Sequence, residues 1–288
     1  MALDMKLRTD ANRQGVPADR LRKLVVFDRL LARLHAVAPD RWIVKGGVAL
    51  ELRLHNRART TMDLDLIRQE GEDAAAEDLI AIQEVDLGDF FAFVVERKEK
   101  PAIDQHDVAV SYHVRAELDG RTFDNVTVDV GIGDRLHIDP EHIEGSGLLA
   151  FAQIERIGVL ALPLERHVAE KLHAYTRTYG AGQPSSRPKD LIDLVLICSS
   201  NSFNSGELRR EVEAIFRARG THPIPSALPL PPAAWRIAYH DMASVLAIDT
   251  ELVTGHEIAA AFVDPVLGED VPRGARWDPI ARKWSESK

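Results

Sequence analysis

Apolar positions divide the chain into a first part that mixes strand and helix spacing and a second part that is mainly helical. Pro17 opens a helix in which Leu21, Leu24, Val25, Phe27, Leu30, Leu31 and Leu34 form a stripe at near-helical spacing. The basic residues between them, Arg20, Arg22, Lys23, Arg29 and Arg33, fall on a face expected to be solvated. Residues 1–16 are polar and read as a frayed end. Pro39-Asp40 marks a turn, Trp42-Ile43-Val44 a short strand, Val48 to Leu54 a helix and Leu64 to Ile67 a second strand. An acidic run from Glu70 to Asp78 begins a helix that reaches about Val85, and Phe90 to Lys98 and Val108 to Leu118 are strand-like. Asp119-Gly120 then marks a hairpin turn into Thr122 to Val130. Within that strand Val126, Val128 and Val130 share one face, and Thr127 and Asp129 the other.

After residue 130 the pattern changes. Residues 131–157 hold Gly, Pro and His and look irregular. Pro163 precedes a strong helix over 164–179, residues 180–188 are Gly/Pro/Ser-rich and read as flexible, and a further helix starts at Lys189. A helix over 205–219 ends at Gly220, a natural C-cap, and five prolines between Pro223 and Pro232 make an extended connector. Helices over 232–246 and 249–263 follow. In the mixed tail, Trp277 and Trp284 are the residues that would dock it.

The 288 residues are enough for one large domain or two modest ones, and 45% hydrophobic with 28% charged content is ordinary for a globular protein. A net charge of −9 argues against a general nucleic-acid coat protein but leaves room for a local basic groove. The single cysteine, Cys198, lies in an apolar run, excludes an intrachain disulfide and makes the cytoplasm the natural compartment. No stretch approaches a membrane span or a secretory signal.

The chemistry concentrates between Lys45 and Ile67. Asp63 and Asp65 alternate with Leu64 and Leu66, so both carboxylates point to one face of their strand. Paired carboxylates repel, and a hard divalent cation such as magnesium makes the pair tolerable. The Gly46-Gly47 turn upstream allows backbone amides close to a phosphate. Farther on, Lys171 lies one position off the apolar stripe of its helix, within reach of a cleft, and Asp190 and Asp193 share a helix face. Asp190 reads as a first-turn acid that offsets the helix dipole. His167 and His173, six residues apart and without a Cys cluster, read as structural.

Gly-Gly, a helix, then a hydroxyl residue two before Asp-x-Asp resembles the nucleotidyltransferase fold of the polymerase-beta-like superfamily. The fuller pattern resembles the AbiEii/MenT family of nucleotidyltransferase toxins. It comprises Lys45-Gly46-Gly47, Arg59-Thr60-Thr61-Met62-Asp63-Leu64-Asp65, Glu170-Lys171-Leu172-His173-Ala174 and Lys189-Asp190-Leu191-Ile192-Asp193-Leu194. The resemblance implies an α+β fold: a small mixed sheet with flanking helices over 17–135, a mainly helical domain over 136–263 that completes the active site, and a tail over 264–288. It also implies a magnesium-dependent enzyme that moves nucleotides from a nucleoside triphosphate to the 3′ end of a tRNA, blocking aminoacylation, within a toxin–antitoxin or abortive-infection system. Asp63 and Asp65 would hold magnesium, with Asp129 where the fold often places a third carboxylate. Lys171 and Asp193 would be catalytic, and Lys45, Gly46, Gly47, Thr61 and Arg59 would bind the nucleotide. A kinase-type antitoxin would silence the site through a phosphate on Thr61 or Thr60, whose charge opposes magnesium and triphosphate. Two alternatives share the acidic pair: a nucleotidyltransferase acting on a small molecule or on protein, and a non-catalytic nucleotide-binding module.

Overall fold

The computed structural model describes residues 2–98, 110–132, 137–179, 183–184 and 187–286. They form two compact units: one runs to Asn56 and resumes over Thr60–Leu162, and the other takes Arg57–Arg59 and everything from Pro163.

The first unit begins with α1 (Ala2–Gln14) and α2 (Ala18–Val37). The expected frayed end is therefore a helix. Leu7 and Ala11, one turn apart, are both buried, and Asp10 between them pairs with Lys6 and Arg13. Two apolar side chains are a weak signal alone but suffice when α2 offers a surface to dock on. The basic residues of α2 also depart from expectation, because four of the five are buried in ion pairs. Arg20 donates to both oxygens of Glu51 at 2.7 Å, and Lys23 pairs with Asp124 at 2.8 Å. Arg33, fully buried, grips Asp89 at 2.7 and 3.0 Å, and Arg29 pairs with Asp28. Arg22, half-buried, is bound by Asp4 and by the Phe123 carbonyl. Helical spacing does not show that a cation will meet a carboxylate from a distant segment, which is what makes its burial tolerable.

The rest of this unit is β1 (Trp42–Lys45), α3 (Gly46–Leu54), β2 (Asp63–Arg68), α4 (Glu72–Ala81), β3 (Phe91–Arg97), β4 (Val110–Leu118), β5 (Arg121–Ile132), β6 (Glu141–Glu144) and β7 (Gly158–Ala161). The strands make one mixed seven-stranded sheet in the order β3-β4-β5-β2-β1-β7-β6. The β2/β5 and β1/β7 pairs are parallel and the others antiparallel. Asp119 and Gly120, with φ of 50° and 69°, turn β4 into β5 with both residues in the left-handed region that a two-residue hairpin turn requires. Val44, Leu64, Leu66, Val126, Val128 and Val130 enter the main core with Leu21, Val25 and Phe27. On the opposite face Ile43, Ile67 and Leu160 form a smaller cluster with Ile138 and Leu162. The region expected to be irregular contributes β6, whose sequence Glu-His-Ile-Glu carries too little apolar alternation to reveal an edge strand. The first residues of the strand expected from Val108, and part of 131–157, lie outside the described residues.

The second unit contains α5 (Leu164–Thr176), the short pair β8 (Thr178–Tyr179) and β9 (Gln183–Pro184), α6 (Pro188–Ser200), α7 (Ser205–Arg219), α8 (Arg236–Leu246), α9 (Leu252–Leu267) and a hairpin of β10 (Arg276–Asp278) and β11 (Lys283–Ser285). Most of the stretch read as flexible, 180–188, falls outside the described residues. The Asn204 side chain caps α7 by accepting from the Gly206 and Glu207 amides, and Gly220 ends it at φ 58°. The tail is docked by its two tryptophans. The Trp277 indole donates to the Cys198 carbonyl at 2.6 Å, and Trp284 stacks on Phe262 and donates to its carbonyl at 2.8 Å. Cys198 is a core residue whose thiol is pushed up to about 12 by burial. Among the described residues no helix is long and apolar enough to cross a membrane.

Candidate active site

The parallel pairing of β2 with β5 sets the candidate site of the sheet unit. Lys45 faces Asp65, Asp65 faces Asp129 and Asp129 faces Ser111, so one straight row crosses β1, β2, β5 and β4. Directly opposed residues share a sheet face, with Cβ atoms about 4.5–5.5 Å apart. Asp63, Thr127 and His113 make the next row on that face. Three carboxylates therefore gather at one end of the sheet, opposite the face that carries the main core. Asp63 is exposed, Asp65 half-buried and Asp129 buried.

The Asp129 carboxyl is pushed above its usual range, first by burial and then by the negative charges of Asp65 and Asp63. Against this, Ser111 Oγ donates to Asp129 Oδ1 at 2.6 Å, and the Lys98 ammonium favours the charged form.

Both glycines are sterically required. Gly46 has φ +63°, and a Cβ there would fall 2.0 Å from Asp65 Oδ2. A Cβ on Gly47 would fall 2.7 Å from Thr61 Cβ and Oγ1. These residues begin α3, whose N-cap, Lys45, makes no side-chain capping bond. The first turn of α3 thus lies directly against Asp65 and Thr61, and helix N-termini favour anions. Thr61 Oγ1 donates to the Asp63 carbonyl at 3.2 Å, Thr61 is half-buried and Thr60 is exposed.

Among the described residues no three His, Cys, Asp or Glu side chains form a ready-made metal cage. The chemistry of the row nevertheless fits a hard divalent cation. Its donors are carboxylate oxygens, and their mutual repulsion, seen in the raised Asp129 carboxyl, is the strain that a cation relieves. Asp65 and Asp63 would be the principal ligands, with Asp129 beside them.

The remaining candidate residues form a separate cluster within the helical unit. Arg59 clamps Asp193 with Nε to Oδ1 at 2.8 Å and Nη2 to Oδ2 at 3.1 Å. Lys171 of α5 pairs with Asp193 at 2.8 Å and with Asp190 at 3.1 Å, and Arg187 Nε lies 2.8 Å from Asp190 Oδ2. Both aspartates are fully buried. Burial alone would raise the Asp193 carboxyl. The charges of Lys171 and then Arg59, with their hydrogen bonds, outweigh burial and hold it well below the usual range. Lys171, expected to point into a cleft, is instead buried and bridges the two carboxylates.

Sequence reasoning missed three parts of this arrangement. Asp190 lies in the first turn of α6, as expected, but is also a buried partner of Lys171 and Arg187. Ser111 left no signal, because it depends on the register between β4 and β5. Arg187 falls in the Gly/Pro/Ser-rich stretch, where no local pattern pairs it with Asp190. His173, one of the two histidines read as structural, shares a hydrogen bond of 2.8 Å with Thr221 Oγ1 and meets Phe216 edge-on.

Comparison with known proteins gives three results. A family model described as nucleotidyl transferase AbiEii toxin, type IV TA system, matches residues 29–263. No curated protein matches the chain by sequence. Among solved structures, the MenT4 nucleotidyltransferase toxin of Mycobacterium tuberculosis superposes with a TM-score of 0.54 at 18% identity, over 91% of this chain and 98% of that one. An H. pylori protein assigned as a nucleotidyltransferase superposes with a TM-score of 0.50 at 15% identity, over 87% and 98%. At these identities the superpositions speak for the fold.

Proposed function

Because the chain belongs to the AbiEii family of nucleotidyltransferase toxins of type IV toxin–antitoxin systems, we propose that it transfers nucleotides from a nucleoside triphosphate to the 3′ end of a tRNA, blocking aminoacylation. The observation that carries the transferase chemistry is the Lys45–Asp65–Asp129–Ser111 row, with the Gly46-Gly47 turn pressed against it.

In this reading the acceptor hydroxyl oxygen attacks the α-phosphorus, a new P–O bond forms, the bond to the β-phosphate oxygen breaks and pyrophosphate leaves. Magnesium, when bound at Asp63 and Asp65, neutralises the triphosphate charge. The first-turn amides of α3 and the Thr61 hydroxyl hold phosphate oxygens, and Lys45 supplies a positive point charge. Asp129 takes the acceptor proton; its raised carboxyl and its Ser111 hydrogen bond support that role. In the helical unit, Lys171, Arg59 and Asp193 supply a buried, preorganised charge cluster. The buried, protonated Cys198 supports a reducing, cytoplasmic setting.

Family membership implies a cognate antitoxin. Phosphorylation of Thr61, or of exposed Thr60, would add about −1.5 to −2 charge next to Asp63 and Asp65 and oppose binding of both magnesium and triphosphate. Peptide mapping of co-expressed toxin and antitoxin tests this; suppressed activity with both threonines unmodified rejects it.

The function is tested by incubating the protein with magnesium, each labelled nucleoside triphosphate and total tRNA, beside an Asp63→Ala control. Label on tRNA that disappears in the control is the expected result. Label on a small molecule or on protein, with none on tRNA, would keep the chemistry and reject the acceptor.

A further inference from the structure

The row of Lys45, Asp65, Asp129 and Ser111 continues onto a fifth strand. Arg97, the last residue of β3, faces Tyr112, and the Lys98 amide donates to the Ser111 carbonyl at 2.9 Å, so Lys98 comes level with Ser111. Alternation along β3, β4 and β5 puts Glu96, Lys98, His113 and Thr127 on the face that carries the carboxylates. That face is open here: Ala92, Glu96, Lys98, His113 and Asn125 are exposed and Thr127 is half-buried. Lys98 Nζ donates to Thr127 Oγ1 at 3.0 Å and makes no ion pair among the described residues, although it lies within the field of Asp129. The hydroxyl thus holds an ammonium at the edge of an acidic centre without neutralising it.

The direction of the reaction gives this edge a use. In an in-line displacement the attacking oxygen approaches from the side opposite the leaving group. Lys45 and the first turn of α3, which hold the triphosphate in the reading above, lie at the β1 end of the row. The acceptor then enters from the other end, across β4 and β5, where Asp129 takes its proton. A nucleic-acid end brings its own phosphates toward Asp63, Asp65 and Asp129, and like charges repel. A cation on the entry side offsets that repulsion, and Lys98 is placed there. His113, level with Thr127 and Asp63, offers a ring N–H on the same side.

We propose that Lys98, positioned by Thr127, and His113 bind the phosphodiester next to the acceptor hydroxyl, so that β3, β4 and β5 carry the acceptor side of the site. Lys98 supplies a compact point charge and His113 a directional donor to the same group. The direction of entry rests on the nucleotidyltransferase reading above, while the unpaired ammonium and its hydroxyl anchor do not depend on it. A phosphate of the donor triphosphate offers the same chemistry, so the test must separate the two sources.

The test uses full-length wild type, a Lys98→Gln/His113→Ala double variant and a Lys98→Arg variant. Arg8→Gln, which removes one exposed cation from α1, controls for bulk charge. Thermal melts of all four are expected to coincide, because the altered side chains are exposed. Binding of total tRNA is measured first, with a metal chelator and no triphosphate. The double variant is expected to bind about tenfold more weakly, with a salt dependence shallower by about one in slope, whereas Lys98→Arg and Arg8→Gln bind as wild type does. Initial rates of transfer with magnesium then separate the substrates. The KM for tRNA is expected to rise about tenfold in the double variant while the KM for the triphosphate holds. A raised KM for the triphosphate, with tRNA affinity unchanged, would overturn the proposal by giving Lys98 to the donor. Affinities and KM values that are all unchanged would overturn it too, as would an Arg8→Gln loss as large as that of the double variant. Wild type that binds tRNA through Lys98 but never labels it would reject the tRNA reaction and leave this site standing, whereas wild type that binds no tRNA would overturn the site itself.

Discussion

The carboxylate row of the sheet unit and the ion-pair cluster of the helical unit use the same side chain for opposite ends. In the sheet unit, Asp63, Asp65 and Asp129 are gathered on one face, and the buried member, Asp129, is pushed toward its neutral form. In the helical unit, Asp190 and Asp193 are more deeply buried, yet Asp193 is held firmly ionised by Lys171 and Arg59. Burial alone therefore does not decide the charge state; the sign of the surrounding charge does. In the sheet unit the gathered carboxylates call for a cation, whereas in the helical unit the carboxylates already have theirs in Lys171, Arg59 and Arg187.

The largest expected effect comes from emptying the carboxylate row. Asp65→Ala removes the central carboxylate of the row, and nucleotide transfer is expected to fall on the order of 10³-fold. Its melting temperature should hold or rise, because one of three repelling charges has gone. Initial rates with a labelled triphosphate, beside a thermal melt, check this. A variant that loses activity and stability together would mean that the row is structural.

The ion-pair cluster of the helical unit should respond in the opposite way. Asp193→Ala leaves Lys171 buried with one fewer partner, and breaking a buried pair costs about 3–5 kcal/mol. Denaturant titration of wild type and variant measures it. The pH dependence follows from the same carboxyl. Its folded value is depressed, so its stabilisation is complete above the ordinary unfolded value of about 3.9 and is lost as pH falls below that. Stability of the wild type is expected to decline below about pH 4, and Asp193→Asn to flatten that decline. An unchanged acid limb in the variant would show that the cluster does not control it.

Gly46→Ala probes how tightly the carboxylate row is built. The left-handed φ alone costs roughly 1–2 kcal/mol for a residue with a Cβ. In addition, the new methyl would lie 2.0 Å from Asp65 Oδ2 and must displace that carboxylate. Activity is expected to fall by a larger factor than stability accounts for. Gly47→Ala has no backbone penalty and meets the Thr61 side chain, so its effect should be smaller.

Much of this contrast was visible in the residues themselves. The alternation of Asp63-Leu64-Asp65-Leu66 places both acids on one face without any tertiary information, and Gly220 marks the end of α7 by local capping chemistry. What was hidden depends on segments far apart in the chain. Asp129 reaches Asp65 through a parallel pairing, which no local pattern specifies. Arg20, Arg33 and Lys23 of α2 fall on the face expected to be solvated, and only Glu51, Asp89 and Asp124 from other elements make their burial possible. The ion pair of Asp190 was hidden for the same reason, since Lys171 lies on another helix. Alternation and capping are local and legible, whereas charge compensation is non-local and is not.

The smallest effect separates stability from charge within the helical unit. Asn204 caps α7 by accepting from two amides and adds no charge to the Lys171–Asp193 cluster. Asn204→Ala is expected to cost about 1 kcal/mol, as cap removals do, because two first-turn donors lose their acceptor. The acid limb of the stability profile should be unchanged, since the charges around Asp190 and Asp193 are untouched. Denaturant titrations of Asn204→Ala across pH check both. A cap variant that also flattened the decline below about pH 4 would mean that the limb reports general loosening of the unit and not the Asp193 carboxyl.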